Sequence, residues 1–367
     1  MSHAPLLRPT LLPGLARLWR DRHTLQLGLD PARAILLEVT NPLLVRLLDL
    51  LDGTHSERAV LDRAVQLGVP REDGRVLLDR LRAAGLLVGG QALLPTQLPE
   101  PVRRRLIGEA VALALHGADP ATNPARILRR RSVARIVITG PGRLAAPVAI
   151  AVAQAGVGGI TLDLSGRVQP TETPGTGLLP DDTGRQRTEA VADALARTAP
   201  GTQVRSARGG RATLVVQVGM DRPAPLVAAG YAQRRQPHLM LELRDGVAVV
   251  GPFVPAIGTP CLNCRELHRQ DRDPGWPGLA AQLMVPGMQP CATPTLLAAT
   301  GYAAAEILRH VDGGTPETVG GAAEIPAPGR IRHRAWPPHP RCGCRRGRSG
   351  PARSTGMAVA GRPGRSQ

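Results

Sequence analysis

The spacing of apolar residues divides the chain into two parts with different periods. From residue 25 the sequence runs LQLGLD-PAR-AILLEV. Two short apolar runs flank an Asp-Pro turn, which predicts a hairpin over residues 25–39. Residues 42–51 predict a short apolar helix. Thr54-His-Ser-Glu57 is a capping-box pattern opening a second helix over residues 58–67. In residues 71–84, Val76, Leu77, Leu81 and Ala84 fall at helical spacing, and Gly85 stops the run. Leu86-Leu87-Val88 and Ala92-Leu93-Leu94, around Gly89-Gly90, predict a two-stranded wing. Hairpin, three helices and wing together predict a winged-helix module over residues 1–95, although residues 1–20 show no clear period. Residues 96–130 read as a connector with one helix at 103–116.

The period then becomes that of an α/β unit. Residues 133–139 (VARIVIT) form a strand, GPGRLA a turn, residues 146–155 a small-residue helix, and residues 160–164 a second strand. The turn fits G-x-G-x-x-A. Gly140 and Gly142 would let the backbone approach a phosphate at a helix N-terminus. This context predicts a Rossmann-type nucleotide-binding fold over residues 131–345. Asp163 stands near the end of the second strand, but its alternation with Leu162 and Leu164 leaves its direction open. Further helices are expected at 188–198, 226–234 and 293–310. Further strands are expected at 212–218, 238–243 and 247–250.

Composition adjusts this picture. The net charge of +17 suggests a polyanion partner. Yet every basic residue besides histidine is arginine, spread widely, as compositional drift in a GC-rich genome would produce. Aromatics are 2%, which leaves little on which to stack bases. The third helix, REDGRVLLDRLRAAG, mixes acidic residues with its arginines and so weakens the case for DNA. A peptide docking on the hairpin edge by strand addition is the other use of such a module. No stretch is apolar for 18 residues, so no membrane span is expected and a cytoplasmic location is. Residues 346–367, rich in Gly, Pro and Arg, read as a disordered basic tail.

Four of the five cysteines form two short pairs, Cys261-x-x-Cys264 and Cys342-Gly343-Cys344. Two such knuckles complete a tetrahedral four-thiolate site, which suits structural Zn²⁺ and leaves no coordination position open. Disulfides and free thiols are the alternatives. The absence of a secretory signal argues against the first. His268 has no companion ligand and reads as a surface or capping residue.

The order of these parts resembles the ThiF-type adenylyltransferases, bacterial relatives of ubiquitin-activating enzymes. The resemblance covers roughly residues 130–345: strand-GPG-helix, GRQR, a strand leading to Asp221, PCLNC, an Ala-rich helix and a second cysteine pair. The stretch TPCLNCRELHRQDRDPGWPGLAAQL resembles more narrowly an actinobacterial subfamily of thiazole/oxazole-modified peptide biosynthesis. Its members are described as cyclodehydratase-type or leader-peptide-binding proteins, and in them a winged-helix peptide-recognition element precedes the ThiF-like domain.

The resemblance implies ATP and Mg²⁺ as cofactors and activation of a C-terminal carboxylate as an acyl-adenylate. It implies Gly140 and Gly142 as the phosphate cradle and Asp221 as the Mg²⁺-side carboxylate. Arg187 falls where the family has a phosphate-contacting lysine, and Cys291 at the acyl-accepting position of some members. Leu164, not Asp163, stands where the family has its ribose-binding acidic residue. The family's upstream N-x-x-R segment is missing from PTETPGTGLLP at residues 170–180. Arginine does not replace lysine neutrally at a point-charge site. The expected function is therefore to bind a ribosomal peptide precursor for a partner modifying enzyme, with an eroded adenylation site and, as is common in the family, a homodimer. The alternatives are a competent adenylyltransferase using Cys291 as acceptor and a winged-helix DNA regulator. On blander readings Asp221 caps a helix, Cys291 is a buried small hydrophobe, and Arg185 and Arg187 are solvated.

Overall fold

The computed structural model describes residues 6–30, 34–39, 41–116, 123–205, 211–258, 260–284 and 287–344. The first elements are β1 (Pro9–Leu11), β2 (Arg17–Trp19), β3 (Thr24–Leu27), β4 (Ile35–Glu38), α1 (Leu43–Leu47), α2 (Glu57–Gln66), α3 (Arg71–Ala83), β5 (Leu87–Gly89) and α4 (Gly90–Leu93). β3 and β4 form the expected hairpin, with Thr24 opposite Glu38 and Leu27 opposite Ile35. β2 adds to the other side of β3, so the edges of this three-stranded sheet are β2 and β4. Strands of three residues carry too little alternation to register as a period, which is why residues 1–20 look featureless in sequence.

Two local expectations are corrected. The N-cap of α2 is Ser56, whose hydroxyl accepts the Ala59 N–H. Thr54 is already engaged, donating to the Asp52 carboxylate. The second wing strand does not form. Gly90 opens the short helix α4, which turns Leu93 into the core, and β5 pairs antiparallel with β1 instead.

α5 (Glu100–His116) and α6 (Pro124–Val133) follow. α6 was not expected, although Asn123-Pro124 announces it. Asn123 accepts the Arg126 N–H, and proline at the first helical position gives up a donor with no helical partner. Leu106, Ala110 and Leu128 complete the apolar core of the N-terminal part, so the connecting segment packs with that core. Arg131 of α6 pairs with Glu109 at 2.6 Å and with Asp312 at 2.7 Å.

The remaining elements are β6 (Arg135–Thr139), α7 (Ala145–Gln154), β7 (Gly159–Asp163), α8 (Arg187–Thr198), β8 (Gln203–Arg205), β9 (Leu214–Val218), α9 (Ala224–Gln233), β10 (His238–Arg244), β11 (Val247–Val254), α10 (Leu262–Arg272), α11 (Trp276–Gln282), α12 (Thr293–Val311), β12 (Gly321–Ala327) and β13 (Arg330–Ala335). They build one sheet in the order β13-β12-β11-β10-β9-β6-β7-β8. The run from β10 to β8 is parallel, and β11 to β13 extend it antiparallel. Alternation along β9 assigns the two faces. Leu214, Val216 and Val218 join the core under α7, α8 and α12, whereas Val215 packs with Tyr231 of α9 and Leu262 of α10. This is the α/β architecture expected for a Rossmann-type fold. From β6 the chain runs outward to β7 and β8, then returns to β9 on the other side. The switch point, where ligands lodge in such sheets, lies at the carboxyl ends of β6 and β9. No helix among the described residues is long and apolar enough to cross a membrane. The predicted tail lies outside the described residues.

Candidate functional site

The glycine turn sits at that switch point. Gly140 has φ +110°, and a Cβ there would stand 2.3 Å from the Val218 carbonyl oxygen. A Cβ on Gly142 would meet Val218 Cγ1 at 2.5 Å. Both glycines are thus required by the close approach of the turn to the end of β9. The Gly140 N–H donates to Asp163 O and the Gly142 N–H to Val218 O, each at 3.1 Å. The next amide, of Arg143, donates to Gln289 Oε1 at 3.0 Å. These three donors are therefore engaged within the protein. The N–H groups of Leu144 and Ala146, at the start of α7, meet no acceptor among the described residues. They are the helix-terminal donors an anion can take up.

Two carboxylates stand at the same end of the sheet, at the end of β7 and just after β9. Asp163 ends β7, is exposed, and accepts the Thr139 hydroxyl at 3.0 Å. Leu164 packs against the core. The direction left open in sequence is therefore settled: Asp163 points out at the strand end and its neighbour points in. Asp221 is half-exposed, 3.6 Å from the Arg222 guanidinium. It does not cap α9, whose N-cap is Pro223 without a side-chain bond. Tyr231 donates to Gln217 Oε1 at 2.8 Å. Burial pushes its hydroxyl up to about 12, and Asp163 and Asp221 both lie near enough to act in the same direction.

Arg187 is placed differently from the sequence expectation. It is buried rather than solvated. Its guanidinium pairs with Glu172 at 2.8 Å and donates to the Ser165 and Arg167 carbonyl oxygens. It locks the 165–172 loop onto the start of α8. Arg185 pairs with Asp182 and Asp193.

Cys291 comes to the glycine turn through a residue that sequence reasoning passed over. Arg143 donates through Nη1 to the Cys291 carbonyl at 2.9 Å and through Nη2 to the Pro174 carbonyl at 3.2 Å. The Cys291 side chain is half-buried against the core. Burial pushes its thiol up, and Arg143 only partly opposes this, so the group stays protonated at neutral pH. The signal for Arg143 was in the motif: a cation inside GPGRLA, directly after its second glycine.

For a nucleotide, then, the residues divide. The α7 terminus, Arg143, Asp163 and Asp221 stand at the switch-point end of the sheet, whereas Arg187 is committed to Glu172.

The cysteine pairs meet away from this turn. The Sγ atoms of Cys261, Cys264, Cys342 and Cys344 all lie within 4.8 Å of one another. Contacts run 3.9 Å between Cys261 and Cys264, 3.6 Å between Cys261 and Cys342, and 3.4 Å between Cys264 and Cys344. A tetrahedron of thiolates about 2.3 Å from a metal has edges of about 3.8 Å, so the cluster suits a metal ion. Burial pushes the Cys261 thiol up to about 12. A bound cation would reverse that. Surrounding groups hold the cage: Asn263 Nδ2 donates to Cys342 Sγ and the His339 N–H to Cys264 Sγ. The buried His339 ring accepts the Arg341 N–H at Nδ1 and so donates from Nε2 to Asp271, at 2.7 Å. His268 lies against that ring, edge to face, and bonds the Pro337 carbonyl.

No family model matches the sequence, and no curated protein sequence matches it. Solved structures do match. E. coli MccB in a complex with ATP superposes with a TM-score of 0.62 at 17% identity, covering 92% of this chain and 99% of that one. The microcin C7 biosynthetic enzyme MccB in complex with N-formylated MccA gives 0.61 at 16% identity, over 92% and 99%. PaaA gives 0.62 at 16% identity, over 88% and 98%. At these identities what is shared is the fold, ThiF-like in MccB, and it extends over nearly the whole chain.

Proposed function

We propose that this chain is a ThiF-like protein of peptide modification. Its N-terminal module, which we read as winged-helix-like, holds a ribosomal peptide precursor, and its switch-point crevice binds ATP with Mg²⁺. The observation that carries the reading is the switch point itself: a glycine turn pressed on Val218, two uncommitted amides at the start of α7, and the carboxylates of Asp163, at the end of β7, and Asp221, just after β9, the two strands that flank β6. The MccB structures with ATP and with MccA support it by analogy of fold. When bound, ATP would supply the adenylyl group that makes a carboxylate a good acyl donor. The chain's own part is to fix it. The α7 amides would receive phosphate oxygens, Asp221 would hold Mg²⁺ with waters completing its shell, and Asp163 would accept a ribose hydroxyl. We read the cysteine cluster as a structural Zn²⁺ site, closed to substrate.

A second reading is favoured by Arg187. With that cation tied to Glu172, adenylation by the chain alone would be slow, and the protein would present its peptide to a partner modifying enzyme. ATP–pyrophosphate exchange by the full chain, with and without candidate peptides, separates the two. Exchange lowered on the order of a hundredfold by Asp221→Ala supports the enzyme. A chain that binds peptide without exchange is the scaffold. DNA readout is disfavoured, because Arg71, Arg75 and Arg82 of α3 each pair with a carboxylate.

A further inference from the structure

We propose that Arg143 is the cation that receives the phosphate chain of a nucleotide at the start of α7. This deepens the nucleotide reading above and rests on it. Four arginines are buried among the described residues: Arg131, Arg143, Arg187 and Arg265. Three are neutralised. Arg131 has Glu109 and Asp312, Arg187 has Glu172, and Arg265 has Glu242 and Glu266. Arg143 has no carboxylate within ion-pair distance among the described residues. Two carbonyl oxygens hold its Nη atoms, and its Nε is buried without a partner. Carbonyl dipoles orient a guanidinium but do not cancel its charge. Keeping a cation out of water without a counter-ion is costly, so the fold retains a position that an anion would complete.

The place of Arg143 in the chain says which anion. It directly precedes Leu144, the N-cap of α7, and the orphan amides of Leu144 and Ala146 open the same helix. Backbone donors at a helix N-terminus beside a planar fork of N–H groups suit an anion with several oxygens in more than one direction, which is a phosphate rather than a single carboxylate. The backbone N–H of Arg143 is spent on Gln289. The contribution therefore comes from the side chain. This also accounts for the crevice without Arg187: the phosphate cation sits inside the glycine turn instead of at the start of α8.

The test is calorimetric binding of ATP, inorganic pyrophosphate and adenosine to the full chain, for the wild type, Arg143→Gln and Arg143→Lys. ATP and pyrophosphate should weaken about tenfold or more in Arg143→Gln, the usual scale for losing a charge-assisted hydrogen bond, with adenosine unchanged. Arg143→Lys should recover part of the loss. Equal weakening of ATP and adenosine would mean that Arg143 only ties residues 174 and 291 together, and would overturn the proposal, as would no change at all. Should Arg143→Gln fail to fold, by its melting curve, the lysine variant decides alone: ATP weakened and adenosine intact supports the proposal, parallel losses overturn it. Wild-type binding of pyrophosphate but not ATP, lost in Arg143→Gln, would keep the anion site and sink the nucleotide reading. Binding of none of the three would sink both.

Discussion

His238 shows how one side chain can set the acid limit of the fold. It opens β10, lies against the Tyr231 ring at 4.4 Å, and donates from Nδ1 to the Gln236 carbonyl. Its Nε2 is buried without a partner, and burial pushes its pKa down to about 4. The unfolded chain, titrating near 6.5, therefore takes up this proton before the folded one does. Stability is complete above about pH 6.5 and falls between there and pH 4, by on the order of 3 kcal/mol. Denaturant unfolding across that range should show a steeper acid loss for the wild type than for His238→Leu; identical pH profiles would refute the assignment. The glycines of the turn, Gly140 and Gly142, were legible from the motif. Their reasons were not. The two glycines answer to Val218, and Arg187 answers to Glu172, partners that only the folded chain brings near.

At the scale of elements, the hairpin and the β6-α7-β7 unit were legible because each carries its own period and its own punctuation. α6 was missed despite its proline start, and β13 because Arg-Ile-Arg-His-Arg-Ala is exposed along its whole length and offers no apolar face. The sheet of β2, β3 and β4 leaves β4 as the free edge within the hairpin read from sequence, with Leu36 half-exposed on it. Strand addition there depends on the peptide's own backbone donors. We expect a candidate leader peptide to bind the full chain in a fluorescence anisotropy titration. The same peptide N-methylated at alternate residues should bind tenfold or more weakly, on the order of one or two lost hydrogen bonds. Equal affinity for the two peptides, or preference for duplex DNA, would remove the edge from consideration.

Across the whole molecule, the cysteine cluster and the Arg131 pairs join parts that are far apart in the chain. The cluster was the most legible long-range contact, because paired thiols at short spacing have few uses. Arg131, with Asp312 181 residues away, has no such signature. Metal analysis of reduced protein should find about one Zn²⁺ per chain. Chelation or Cys342→Ser should lower the melting temperature on the order of 10 °C or more. Unaltered melting after complete metal removal would leave the cluster without a structural role. The spacing of the ligands also has a consequence for synthesis. Cys261 and Cys342 are 81 residues apart, and at ordinary elongation rates the second pair is made roughly 5–15 s after the first. For that interval a nascent chain carries half a cage, two unshielded thiols open to oxidation or to the wrong partner. Closure of the cage would then wait on the second pair and on the free zinc level, and zinc-starved cells should accumulate a chain that is open to proteases around Cys342 and Cys344.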